Sequence, residues 1–262
     1  MIPARKQRLF NAWFAGNARD RLHATFGALR VRGLAEARAR AREGPLLAVS
    51  NHTSWWDPLV VLHLTHHLLE VDGHALMDAK NLRILPFFAL VGAFGVELDQ
   101  PEDGARAMRY AARLLDRPGR LVWVFPQGRE RPITERPLGF RPGSAEIARV
   151  ARKARTIPVG LRYELGAEER PILYVSIGEP LPPLRDTREG LAAQESAVER
   201  ELARIEGAVR GEPGLGFEEI HRASGSVMGA LSTRLLAKLT APRAEPRALP
   251  PARREDERAQ NR

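Results

Sequence analysis

The stretch Leu46-Leu47-Ala48-Val49-Ser50-Asn51-His52-Thr53-Ser54-Trp55-Trp56-Asp57-Pro58-Leu59-Val60-Val61-Leu62 constrains this chain more than any other. It opens with a short apolar run, turns through a polar corner, and ends in a second apolar run led by proline. A continuous apolar run bounded by turn residues fits a strand buried on both faces, and proline suits the first turn of a helix. Such a strand needs helices on both sides of its sheet. The pattern recurs. Leu121-Val122-Trp123-Val124-Phe125 and residues 156–163 and 172–177 read as further strands; residues 103–116, 143–153 and 189–209 read as helices. The expected fold is α/β: a central, mostly parallel or mixed sheet with helices on both faces, preceded by an N-terminal amphipathic helix or helix pair.

Residues 5–29 supply that N-terminal part. Leu9, Phe10, Trp13 and Phe14 cluster at helical spacing, as do Leu22, Phe26 and Leu29, with Gly16-Asn17 between them as a break or bend. A basic amphipathic segment with a tryptophan and phenylalanines suits a membrane interface; the alternative is a helix packed on the domain with a solvated basic face. Residues 31–34, 75–79 and 95–98 read as short strands. Residues 58–69 read as a helix, 84–90 as a short buried helix and 217–239 as a last helix, with 35–44 an exposed segment rich in arginine and alanine. Beyond Ala241, Pro242, Pro246, Pro250 and Pro251 stand among charged residues, the composition of a disordered tail. The expected organisation is a membrane-interface segment at 1–30, one domain at 31–240 and a tail at 241–262.

The chain has 262 residues, 44% of them hydrophobic, enough for a sizeable core. The absence of cysteine excludes a disulfide framework and thiolate zinc sites. Formal net charge is +9. Much of it is local: residues 1–42 hold ten basic residues (Arg5, Lys6, Arg8, Arg19, Arg21, Arg30, Arg32, Arg38, Arg40 and Arg42) against Asp20 and Glu36. That excess predicts an anionic partner near the N-terminus: a membrane surface, a nucleic acid or a phosphorylated substrate. No segment reaches the roughly 18–20 apolar residues of a spanning helix. Polar residues interrupt any signal-peptide core. A peripheral position on the cytoplasmic face of the cell membrane is expected. Nucleic-acid binding is the main non-enzymatic alternative, but no recognition module accompanies the charge, and no nucleic-acid partner is expected.

His52 follows the strand that opens the key stretch, where sites of open α/β sheets lie. Histidine accepts a proton near neutral pH, and does so better when a carboxylate holds its second ring nitrogen. Asp57 is one tight turn away. A base and an orienter without a protein nucleophile imply that the nucleophile is a substrate hydroxyl. Asp57-Pro58 also reads as a helix N-cap followed by proline, and Ser54 to Asp57 as a capping box; the cap at Asp57 is preferred, since it leaves Pro58 at the first helical position. His63, His66 and His67 share a helix face but have no carboxylate at a ligand spacing, so a polar helix edge is expected and no metal. G-x-S-x-G, P-loop and G-x-G-x-x-G patterns are missing.

Asn51-His52-Thr53-Ser54-Trp55-Trp56-Asp57-Pro58 resembles the NHxxxxD motif of the glycerolipid acyltransferase superfamily, whose members include the 1-acylglycerol-3-phosphate acyltransferases. Later stretches resemble its other blocks, in order: Gly92-Ala93-Phe94-Gly95-Val96-Glu97-Leu98, Val124-Phe125-Pro126-Gln127-Gly128-Arg129-Glu130-Arg131, Leu138-Gly139-Phe140-Arg141-Pro142-Gly143, Ile157-Pro158-Val159 and Ile177-Gly178-Glu179-Pro180. The resemblance implies an O-acyltransferase. His52 would deprotonate a hydroxyl of a lipid acceptor, Asp57 would orient the imidazole, and the hydroxyl would attack the thioester of acyl-CoA or acyl carrier protein. It implies no cofactor beyond that co-substrate, and an acceptor site at Gln127, Gly128, Arg129 and Arg131. The sequence departs from the family at three places: Leu98 and Glu130 stand where arginines are usual, and Gln127 where glutamate is usual. Losing a phosphate clamp widens the expected acceptor from a lysophospholipid to a glycolipid or carotenoid-type hydroxyl, while Arg129, Arg131, Arg136 and Arg141 keep a cationic neighbourhood that suits a phosphate in a shifted pose. A catalytically inactive, lipid-binding member of the family is a further alternative, opposed by the intact His52 and Asp57.

Overall fold

Leu46, Leu47, Ala48 and Val49 are all fully buried, and they divide between two cores. Leu46 and Ala48 join one apolar cluster, Leu47 and Val49 the other. That is the alternation of a strand with both faces covered.

The computed structural model describes residues 1–224, apart from Leu98 and Leu184. In chain order its elements are α1 (Arg8–Thr25), β1 (Ala28–Arg32), α2 (Leu34–Glu43), β2 (Leu46–Ser50), α3 (Asp57–His63), β3 (Asp72–Asp78), α4 (Ala79–Ile84) and α5 (Phe87–Leu90). There follow β4 (Ala93–Val96), α6 (Pro101–Leu114), β5 (Arg120–Val124), α7 (Gly143–Val150), β6 (Arg155–Glu164), β7 (Ile172–Ile177), α8 (Thr187–Val209) and β8 (Glu218–Arg222). A π-helical turn, Leu64–Leu68, extends α3. The strands form one sheet in the order β4-β3-β5-β2-β6-β7-β1-β8. Pairings are parallel except β6 with β7 and β1 with β8. The expected α/β architecture is the observed one.

One core lies between the sheet and the helices α1 to α3; it holds Ala18, Leu22, Ala37, Val60 and Leu64 against Leu46, Trp123 and Ile157. The other lies under α6 to α8, with Ala111, Ile147, Val198 and Leu202 against Leu47, Val122 and Val124. Gly33 makes the turn from β1 into α2. Its φ is 74°, and a Cβ there would lie 2.1 Å from the Ile177 carbonyl oxygen, so only glycine fits.

Several local expectations need correction. α1 runs unbroken through Gly16-Asn17. The periodic burial of Asn11, Ala15, Ala18 and Leu22 holds it straight against the domain, and Gly16 falls off that stripe. Residues 35–43 belong to a half-buried helix, because Ala37 and Ala41 face the core while Arg38 and Arg40 between them are only partly exposed. Residues 84–90 form the end of α4 and all of α5, with Ile84 74% exposed, so this is no buried helix. Residues 218–222 are a strand: β8 caps the β1 edge of the sheet. The rest of the expected last helix and the expected tail at 241–262 lie outside the described residues. The expected boundary at residue 30 falls inside β1, which is hydrogen-bonded to β7 and β8.

Candidate active site

The corner after β2 begins with Asn51, which is fully buried. Its side chain donates to the Leu161 carbonyl at 2.9 Å and accepts from the Leu161 N–H at 2.8 Å. The amide thus imitates one more rung of the parallel ladder between β2 and β6, and it anchors the point where the chain leaves the sheet.

His52 comes next, held at its backbone N–H, its backbone carbonyl and Nδ1. Its N–H donates to Gln127 Oε1 at 2.6 Å, and its carbonyl accepts from the Arg131 N–H at 2.9 Å. The imidazole stacks on Phe125, with ring centroids 4.6 Å apart and planes 26° apart. Nδ1 lies 2.6 Å from Asp57 Oδ2, and Nε2 lies 3.6 Å from Glu130 Oε1. With Nδ1–H donating to the carboxylate, Nε2 keeps its lone pair and is the atom able to take a proton.

Asp57 is fully buried and surrounded by donors. Oδ2 accepts from the Thr53 N–H at 2.9 Å and the Ser54 N–H at 3.1 Å, as well as from His52. Oδ1 accepts from the Tyr163 hydroxyl at 2.6 Å. Burial, followed by the neighbouring Asp57 charge, pushes the Tyr163 phenol well above its ordinary pKa, so it remains a donor. A buried carboxylate without such donors would be costly.

These bonds correct the preferred helix-cap reading. Trp56 is the cap residue of α3, Asp57 is already inside the helix, and no side chain caps the helix start. The carboxylate turns back to the Ser54 N–H, the reciprocal half of a capping box, while Ser54 Oγ accepts from the Trp56 N–H at 3.2 Å. The two tryptophans separate. Trp56 packs edge-on against Phe26, whereas Trp55 is 61% exposed, with the Arg21 guanidinium 5.4 Å from its ring centre.

The turn after β5 carries the four residues expected to bind the acceptor, and it uses them differently. Gln127 is buried, its Oε1 committed to the His52 backbone. Gly128 takes a φ of 72°, which re-aims the chain. Arg129 is exposed. Arg131 is half-buried and its guanidinium pairs with Glu135. The second block lies in and after β4, separated from β2 by β5 and β3, and Glu97 there pairs with Arg83. Leu98 lies outside the described residues. Ile157-Pro158-Val159 sits in β6 directly beside β2. His63 is buried in the interface of α1 and α3 rather than on a polar edge; the rings of His23 and His67 each lie 5.4 Å from its own.

A histidine, a buried carboxylate bonded to its ring and a loop that fixes its backbone now stand together, built from separated blocks of sequence. The family model described as Acyltransferase matches residues 28–162. The chain belongs to the Acyltransferase family. Within this acyltransferase the matched region runs from β1 into β6, stopping at residue 162, and so contains His52, Asp57 and the whole turn after β5. No curated protein matches the chain. Sequence reasoning about this acyltransferase missed Tyr163 and gave Asn51 no role. Tyr163 is 106 residues from Asp57 in the chain, and no local spacing reports such a contact.

Proposed function

We propose that this acyltransferase moves a fatty acyl group from acyl-CoA or acyl carrier protein to a hydroxyl of a lipid acceptor, with His52 as general base and Asp57 as its orienter. The observation that carries the reading is the 2.6 Å contact between His52 Nδ1 and the enclosed Asp57 carboxylate, which directs the opposite nitrogen to a substrate. The acceptor O–H gives its proton to His52 Nε2 as its oxygen adds to the thioester carbonyl. The tetrahedral intermediate collapses with cleavage of the C–S bond, and the imidazolium returns the proton to the leaving thiolate. The products are an ester and a free thiol. General-base help of this kind contributes about 10²–10⁴-fold in rate.

The enzyme works as a peripheral protein at the cytoplasmic face of the cell membrane. No helix among the described residues is long and apolar enough to cross a membrane. Supporting interfacial contact, Leu9 and Trp13 on α1 are 86% and 61% exposed, and Ile84 is exposed too. Leu22 and Phe26 fix the other end of the N-terminal segment in the core. Burial of two such side chains is worth about 3–6 kcal/mol, so α1 is an integral part of the domain and its outer edge is the membrane contact.

The test is thiol release from oleoyl-CoA with a panel of lipid hydroxyl acceptors. His52→Ala should lose at least a hundredfold in kcat while remaining folded; equal turnover by wild type and variant would remove His52 from the mechanism. Flotation with anionic vesicles should weaken in a Leu9→Ser, Trp13→Ser double variant, and unaltered flotation would remove α1 from the membrane contact.

A further inference from the structure

The His52 imidazole touches two carboxylates. Asp57 holds Nδ1, and Glu130 Oε1 lies 3.6 Å from Nε2, the nitrogen that must meet the acceptor. Glu130 is 58% exposed in its side chain, so it lines the approach to the base and does not complete the buried network. Its backbone is held beside His52, because the next residue donates its N–H to the His52 carbonyl. Of the flanking arginines, Arg129 is exposed and no ion pair is seen for it among the described residues. Arg131 is bound to Glu135, and the Arg141 guanidinium lies against Gly128, 3.4 Å from where a Cβ would stand. A hydroxyl bonded to Nε2 therefore comes within reach of an anionic oxygen pair.

We propose that Glu130 is a specificity-determining residue that selects acceptors carrying a second, uncharged hydroxyl beside the reacting one and rejects acceptors carrying a phosphate there. This rests on the acyl-transfer reading of the same site. A carboxylate accepts hydrogen bonds and cannot donate them, so it pairs with a neighbouring O–H and repels a phosphate dianion. In a 1-acylglycerol phosphate the phosphate sits on the carbon next to the reacting hydroxyl, hence close to Glu130. In a 1-acylglycerol, or in a sugar head group, a hydroxyl occupies that place. Specificity of this kind comes from an unfavourable contact with the wrong ligand as much as from a favourable one with the right ligand.

The probes are monooleoylglycerol and monooleoylglycerol 3-phosphate in uncharged detergent micelles, with oleoyl-CoA as donor. Dissociation constants and kcat/KM are measured for wild type, Glu130→Asp, Glu130→Gln and Glu130→Arg. Wild type should favour the diol at least tenfold, Glu130→Asp should keep the preference, Glu130→Gln should weaken it, and Glu130→Arg should shift the ratio towards the phosphate by at least tenfold. A wild type that favours the phosphate, or a ratio that stays within twofold in Glu130→Arg, overturns the proposal. The binding ratio decides this even if neither lipid is acylated; absent thiol release with a shifted binding ratio would instead overturn the acyl-transfer reading. A protein that binds neither lipid overturns both.

Discussion

The Tyr163 hydroxyl donates to Asp57 Oδ1 at 2.6 Å, leaving Oδ2 for His52 and two backbone N–H groups. The phenol thereby sets the plane of the carboxylate that holds the His52 ring. Its ring packs against Phe26, 5.6 Å away, in the core beneath α1.

Tyr163→Phe keeps that packing and removes one donor. Stability should fall by about 1–3 kcal/mol, the cost of leaving a buried acceptor short of a partner. Turnover should fall about tenfold, equivalent to ~1.4 kcal/mol of transition-state stabilisation. Urea midpoints and thiol-release rates measure the two effects separately. A variant as active as wild type would reduce Tyr163 to core filling.

Asn51→Ala removes both hydrogen bonds to Leu161 and leaves a buried N–H and C=O without partners. The expected loss is about 2–4 kcal/mol. It should shift the denaturation midpoint without altering the m-value; a loss under about 0.5 kcal/mol, the lower edge of what one hydrogen bond contributes, would contradict the ladder role.

Gln127 holds the His52 backbone N–H, so on the proposed mechanism its substitution should act on kcat and leave the KM for acyl-CoA alone. Gln127→Leu should lower kcat about tenfold or more, the cost of an unpaired His52 N–H and a displaced imidazole. Gln127→Glu keeps an acceptor oxygen in the same place and should restore most of that loss. Equal kcat in wild type and Gln127→Leu would make the contact incidental.

Acid should destabilise the fold through His63. Burial, then the His23 and His67 rings, lower its pKa from 6.5 to about 3, and neither ring nitrogen has a hydrogen-bond partner among the described residues. The unfolded chain takes up this proton near pH 6.5, whereas the folded chain resists it down to about pH 3. The contribution of neutral His63 is therefore fully present above pH 6.5 and declines as pH falls through that window, by up to about 1.4 kcal/mol per pH unit. His74, lowered to about 4 chiefly by burial, acts in the same direction. Denaturation midpoints between pH 7 and pH 4 should fall less steeply in His63→Phe. Parallel curves would assign the acid sensitivity to other groups.

The sheet, most strands and the His52–Asp57 pair were legible in the sequence because each depends on local signals. Leu46 to Val49 announce a two-faced strand by being apolar without interruption, and the turn chemistry of residues 52–58 lies within seven consecutive residues. What stayed hidden was long-range or context-dependent. Tyr163 looks like any aromatic at a strand end, and its role exists only because β6 lies beside β2. Gln127 sits in a recognisable block, but the direction of its side chain, towards a backbone N–H rather than towards ligand, depends on how two loops meet. Residues 35–44 misled because arginines outnumber the small alanines that pack. β8 was missed for a similar reason: an edge strand with charged Glu218, Glu219 and Arg222 carries no apolar alternation.

The place of β2 between β5 and β6 governs when the enzyme comes into being during synthesis. The ribosome delivers His52 and Asp57 early, Gln127 and Glu130 much later, and Tyr163 last. Until β6 docks, Asn51 has no Leu161 to bind and the Asp57 carboxylate lacks its phenol. On the proposed mechanism, a nascent chain that already contains His52 lacks the bonds that hold the site together, and full activity follows the moment at which the second half of the sheet closes around the first.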